Sequence, residues 1–179
     1  MHAQVILDFW FKEISQKQWW EKDKVFDQLI KQRFSAVHEQ ATRGELFSWR
    51  ATAEGRLAEI IVLDQFSRNM FRDSFLAFAY DGLALVLAQE AIFNGADKSL
   101  PIDWRSFMYM PFMHSESLVI HERAVKLFDQ PGLEYNLEFE LKHKIIIEKF
   151  GRYPHRNEIL HRSSTPEELE FLRQPGSSF

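Results

Sequence analysis

Apolar residues recur at three- and four-residue steps along most of this chain, and no Val/Ile/Thr-rich stretch alternates with the two-residue step of a strand. The clearest stripe is Phe26, Leu29, Ile30, Phe34 and Val37. Asp23 stands before it as a capping residue, and Gly44 follows where a C-terminal cap belongs. A short helix from Ala3 to Phe11 precedes it and ends in the aromatic cluster Phe9, Trp10 and Phe11. Thr52 opens a third helix with two apolar arcs, Leu57, Ile60, Ile61 and Phe71 on one side and Leu63, Phe66 and Met70 on the other. A helix apolar on both sides is central and buried. The pattern next predicts a helix over Phe75 to Asn94, stopped by Gly95, and a short one from Asp103 to about Met110. Another starts with Pro111 in its first turn and runs to about Phe128, where Pro131-Gly132 breaks it. Leu133 to Phe150 is helical again. Thr165-Pro-Glu-Glu168 is a capping box with proline at the first helical position, so a last short helix begins there. The expected fold is all-α, with residues 1–179 forming one domain of seven to nine helices. Short loops let consecutive helices stack as antiparallel pairs.

Composition supports a real core. The chain has 179 residues, 45% apolar, with 17 Phe and 5 Trp, and that much ring surface has to be buried. The net charge of -4 gives no global basic field, so neither nucleic acid nor an anionic membrane is an expected partner. The absence of Cys excludes disulfides, thiol catalysis and Cys-ligated zinc, and fits a reducing compartment. The N-terminus shows no basic leader followed by an apolar run. The most apolar segment, Phe75 to Phe93, carries Asp81, Gln89 and Glu90, too polar for a membrane span and suited to a core helix. The expectation is a soluble cytoplasmic protein.

Three polar constellations interrupt the apolar pattern. The densest is Phe150-Gly-Arg-Tyr-Pro-His-Arg-Asn157, in which Gly151 and Pro154 oppose a continuous helix. Arg152, Arg156 and Arg162 stand there against the single acid Glu158, a basic segment in an acidic protein. Arginine forks match carboxylates and phosphates; the alternative is that they pin the C-terminal segment to acidic helices. The second is Leu63-Asp-Gln-Phe-Ser-Arg-Asn-Met-Phe-Arg72. Asp64 and Arg68, four apart, face inward within an apolar arc and must pair or hold a ligand; Arg72 lies one turn on, and Gln65 and Asn69 share an adjacent face. The third is Tyr109-Met-Pro-Phe-Met-His-Ser-Glu116. His114 in the first turn of its helix is placed for a site, whereas His121 reads as a surface residue. His143 sits two turns, about 10 Å, before the Phe150 loop and reaches the cavity of His155 if that loop folds back.

Several familiar sites are missing from the sequence: a phosphate-binding Gly-Lys-Ser/Thr loop, a dinucleotide glycine pattern, His-Glu-x-x-His and a Gly-x-Ser-x-Gly elbow. No spacing among His114, Glu116, His143 and His155 is diagnostic of a metal, so neither a metal nor a cofactor is expected.

The motifs taken together resemble a bacterial uncharacterised family, domain of unknown function 924. The matching pieces are Val5-Ile-Leu-Asp-Phe-Trp-Phe11, Gly44-Glu-Leu, Leu63-Asp-Gln-Phe-Ser-Arg-Asn69, Pro111-Phe-Met-His-Ser-Glu116, Phe150-Gly-Arg-Tyr-Pro-His-Arg-Asn157 and Ser164-Thr-Pro-Glu-Glu168. That family often has Pro where Ser67 stands and Gly where His161 stands. The resemblance implies a helical fold of tetratricopeptide-like stacking and supplies no activity.

The residues themselves point to a pocket for a small anionic molecule, with Asp64–Arg72, Met113–Glu116 and Arg152–Asn157 converging on it. Arg152 and Arg156 are expected to bind the anion, with Arg68 or Arg72 as a further partner. Asp64 and Glu116 orient the basic groups, and His114, His143 or His155 is the candidate acid or base. Gln65, Asn69 and Asn157 complete the candidate lining. The alternative is a scaffold whose helical groove takes a protein or peptide partner, with the arginines reading an acidic tail.

Overall fold

A computed structural model describes residues 1–178. The helices are α1 (Ala3–Asp8), α2 (Lys24–Thr42), α3 (Ala53–Ile61), α4 (Ser67–Met70), α5 (Asp81–Phe93), α6 (Ile102–Met113), α7 (Leu118–Phe128), α8 (Glu134–Phe150) and α9 (Pro166–Leu172). Short 3₁₀ and π turns join them, and the described residues contain no strand, so the fold is all-α.

The capping residues act as their sequence positions suggest. Asp23 accepts from the backbone N–H of Val25 and Phe26, and the Thr52 hydroxyl accepts from that of Gly55. Thr165 and Glu168 close both halves of their capping box. Gly44, with φ +71°, ends α2 in the left-handed region that glycine enters at no cost. His161 adopts a φ of +54°. This is the left-handed region that glycine enters most readily.

The third helix is the centre of the molecule. Leu57, Ile60, Ile61, Val62, Leu63 and Phe66 are all fully buried, which is why the helix needed two apolar faces. α1, α5 and α6 pack around it. Phe9 packs against Phe34 and Phe66, and Trp10 meets Phe107 edge-on at 5.6 Å. A smaller apolar cluster of Ile146, Ile147 and Tyr153, with Phe150 and Phe171 against it, joins the end of α8 to the following loop and α9.

Helix boundaries differ from the sequence pattern in three places. The helical path after α3 passes through a π turn over Val62–Phe66 before α4, so it is continuous but wound wider for one turn. The expected helix from Phe75 is broken: Ser74 caps a 3₁₀ turn at Phe75–Ala77, and α5 begins only at Asp81, an acid favoured at a helix N-terminus. Phe75–Phe93 as a whole, 19 residues, is long and apolar enough to cross a membrane by length and composition alone, but the 3₁₀ turn leaves only 13 of them in α5. Pro111 does not open a helix. It lies inside α6, whose last eight residues are all buried, and that packing outweighs one missing backbone hydrogen bond. α7 begins after Ser117 instead. His114 is consequently the C-cap of α6, and does not share a helical face with Ser117 and His121.

Candidate functional site

The π turn after α3 sets up the site. An extra residue in the turn re-aims the side chains that follow, a device common at functional positions. It leaves Asp64 fully buried, with its carboxylate 3.1 Å from Arg68 Nη1 and 2.8 Å from His114 Nδ1. Gln65 Nε2 donates to the same carboxylate at 2.6 Å. Arg68 turns its fork to Asp81 at the start of α5, at 2.9 and 3.0 Å. Asp81 also accepts from Arg156 Nη1, at a looser 3.3 Å. One chain of charges thus runs His114, Asp64, Arg68, Asp81, Arg156 and links the three constellations.

A cavity of about 570 Å³ opens beside this chain. Gln65, Arg68, Asn69, Arg72, His114, His143, His155 and Arg156 line it, so the Asp64–Arg72 stretch, the end of α6, α8 and the Arg-rich loop do meet. Trp19, Trp20, Phe78, Tyr135, Phe139 and Tyr153 supply an aromatic wall. An adjoining pocket of about 330 Å³ shares Phe78, His114 and Arg156 with it. Among the charged lining side chains, Lys22, Arg68, Arg72 and Arg156 outnumber Glu21 and Asp73, with Asp64 and Asp81 held behind the arginines.

Arg156 has the most unusual surroundings. Its guanidinium lies between the rings of Phe78 and Tyr153, at 4.4 and 4.6 Å from their centroids. The side chain is 7% exposed. Its one protein hydrogen bond among the described residues goes to the carboxylate that already serves Arg68, and its Nε has no partner. Burial, and then the neighbouring Arg68 charge, lower its pKa from the ordinary arginine value. Arg68 is the opposite case: burial works against its charge, but Asp64 and Asp81 hold its pKa above the ordinary value.

Four candidate residues stand outside this cavity. Arg152 forks onto Glu168 at 2.7 and 2.8 Å and donates to the Ser163 carbonyl. Asn157 donates to Ser164 and Glu168. Both tie α9 to the loop, which for Arg152 is the pinning role the sequence left open. Glu116 takes Arg162 at 2.6 and 2.9 Å and the Tyr153 backbone N–H at 2.7 Å, and lines only the smaller pocket. It braces the loop and orients no histidine. Asp64 lies behind the wall, where it does orient His114. Asn69 and Arg72 reach the cavity while both binding Asp27 of α2.

The histidines differ in what surrounds them. His114 presents Nδ1 to Asp64, and no protein group among the described residues hydrogen-bonds its Nε2. Burial and Arg68 lower its pKa against the opposing pull of Asp64. Burial brings His143 down to about 3 and His155 to about 4, so both of these imidazoles are neutral at pH 7. His143 Nδ1 faces the Phe139 carbonyl at 2.7 Å. His121 corrects the surface reading. It is fully buried, with Nδ1 2.7 Å from Glu140 of α8 and Nε2 near the Ser115 carbonyl and the Tyr153 hydroxyl. Starting α7 at Leu118 puts His121 in its first turn.

Sequence reasoning missed Asp81 and Tyr153 as organising residues, and left open the salt-bridging role that Arg162 takes on Glu116. An acid near the start of the apolar Phe75–Phe93 segment was the available signal for Asp81. Tyr153 is fully buried, donates to the Met113 carbonyl at 2.5 Å and forms one face of the Arg156 sandwich. No group of three or more His, Asp or Glu among the described residues is placed to hold a metal ion.

The bacterial family of unknown function DUF924 matches residues 6–176. Among solved structures, a protein of unknown function from Agrobacterium tumefaciens, ATU0120, is 42% identical and similar over 96% of each chain, with a TM-score of 0.91. No curated protein gives a significant match.

Proposed function

The chain belongs to the bacterial DUF924 family of unknown function, and we propose that its cavity binds a small anionic molecule through Arg156, with Arg68 beside it. The observation that carries this reading is the state of Arg156: a buried cation, stacked between two rings, sharing one carboxylate with a better-placed arginine. A guanidinium has five N–H donors, and a desolvated charge with so few partners is costly unless something else completes its shell. An anion does so. The three imidazoles and the aromatic wall add polar and flat surfaces for the rest of the ligand.

Thermal denaturation tests this. Phosphate or acetate is expected to raise the melting temperature more than chloride at equal ionic strength. At about 100-fold excess over Kd, binding contributes about 2.7 kcal/mol, or about 5–10 °C for a chain of this size. Arg156→Ala removes the anion-specific increment while leaving the helical circular dichroism intact, because Asp81 keeps Arg68. Arg152→Ala lowers the melting temperature, since Glu168 and α9 lose their tie, but keeps the increment. Equal shifts from phosphate, acetate and chloride would return the chain to the scaffold reading.

A further inference from the structure

We propose that His114 is a general base for carbon-acid chemistry: it removes a proton next to the carbonyl of a 2-oxo carboxylate whose carboxylate sits at Arg156. This rests on the anion-binding reading above and adds a reaction to it. The Asp64 carboxylate, 2.8 Å from Nδ1, fixes the tautomer that carries its proton on Nδ1 and its lone pair on Nε2. That nitrogen has no protein partner among the described residues, and the ring lines both the main cavity and the pocket it shares with Arg156. A base within reach of a seated substrate is the geometric requirement for proton transfer.

The neighbours select the chemistry. Covalent hydrolysis needs a nucleophile beside the base. The Tyr153 hydroxyl already donates to the Met113 carbonyl, and the chain has no cysteine. A single base that takes a proton from carbon and returns it needs no nucleophile. In the step, the C–H bond breaks, an N–H bond forms at Nε2, and the electron pair moves onto the keto oxygen as an enolate. Arg68 and Arg156 line the same cavity as His114 and would stabilise the negative charge, and Asp64 steadies the imidazolium. Return of the proton to either face or end of the enolate closes the cycle without an oxidant, a reductant or a second substrate. The ring-lined wall suits an aryl group at the far end of the acid.

The probe is 2-oxo-4-phenylbutanoate in D₂O, with deuterium entry at C3 followed by proton NMR and binding measured separately by thermal shift. Wild-type protein is expected to accelerate exchange over buffer. His114→Gln removes the acceleration, by on the order of 10²–10⁴-fold, while keeping the thermal shift and the circular dichroism. Asp64→Asn, which touches no substrate, lowers the exchange rate with the thermal shift retained, and ¹⁵N NMR of His114 should then show loss of the Nδ1–H tautomer. Binding without exchange, or exchange that survives His114→Gln, overturns the base and leaves the anion site standing. Absence of both binding and exchange overturns the anion site and this inference with it. An Nε2-protonated tautomer in the wild-type spectrum also overturns the base.

Discussion

Asp64→Ala is expected to cost about 3 kcal/mol or more of folding stability, read as a lower urea midpoint at an unchanged slope. The carboxylate has no exposed surface and serves Arg68, His114 and Gln65 at once. Removing it leaves a buried guanidinium with one carboxylate instead of two and a histidine N–H with no acceptor. Arg68 still keeps the Asp64 backbone carbonyl and Asp81, which is why the loss stays near the lower end for a broken buried pair. The same pair fixes the pH dependence. Burial alone would raise the Asp64 pKa, but Arg68 and then His114 hold it below its ordinary value of 3.8. A depressed carboxyl pKa contributes stability that is fully present above the unfolded value and fades as pH falls through the folded one. The gap between wild type and Asp64→Ala is therefore full at pH 7 and narrows only below about 3.8. A melting temperature that the substitution leaves unchanged would mean the pair is not formed.

Gly55→Ala is expected to destabilise by about 3 kcal/mol, the upper end for overpacking, or roughly 6–12 °C in melting temperature. A Cβ on Gly55 would stand 1.9 Å from the Trp49 carbonyl oxygen and 2.8 Å from its carbon. Those are backbone atoms, so no rotamer change relieves the clash. The turn that must move carries Arg50, whose fork holds the buried Glu59 at 2.7 Å on both arms. Shifting it strains an ion pair as well as the first turn of α3, where the Thr52 cap grips the Gly55 N–H. Gly82→Ala is the matched comparison. That glycine lies in α5 with nothing within 4 Å of the added carbon, so the same change should be neutral or gain up to about 1 kcal/mol. Equal effects at the two positions would contradict the close approach.

The helices and their caps were largely legible in the sequence because capping is local. Asp23, Thr52, Thr165 and Gly44 act on backbone groups within a few residues, and the surrounding pattern determines the geometry. The burial of α3 was legible for a similar reason, since two apolar arcs leave no solvent face. Pro111 was not, because proline suits a first turn and is tolerated in a well-packed last turn, and only tertiary burial distinguishes the two. The candidate site divides along the same line. That Asp64, Arg68 and His114 would have to be satisfied inside followed from inward-facing charge. Which arginine of the loop would face the cavity did not follow. Arg152 and Arg156 stand four residues apart in one segment, and the arrival of Glu168 on α9 claims the first and leaves the second. Such choices depend on partners distant in sequence, Asp81 to Arg156 above all, and no spacing rule reaches that far.

If Arg156 turns this cavity into an anion site, a crystal structure of the protein with benzoate should show it. Benzoate joins a carboxylate to one aromatic ring, matching the guanidinium on one side and the ring-lined wall on the other. Carboxylate density is expected within hydrogen-bonding distance of the Arg156 guanidinium and the phenyl ring against that wall, with the Arg152–Glu168 pair undisturbed. Ordered water alone in the cavity at saturating benzoate, with Arg156 still held only by Asp81, would contradict it.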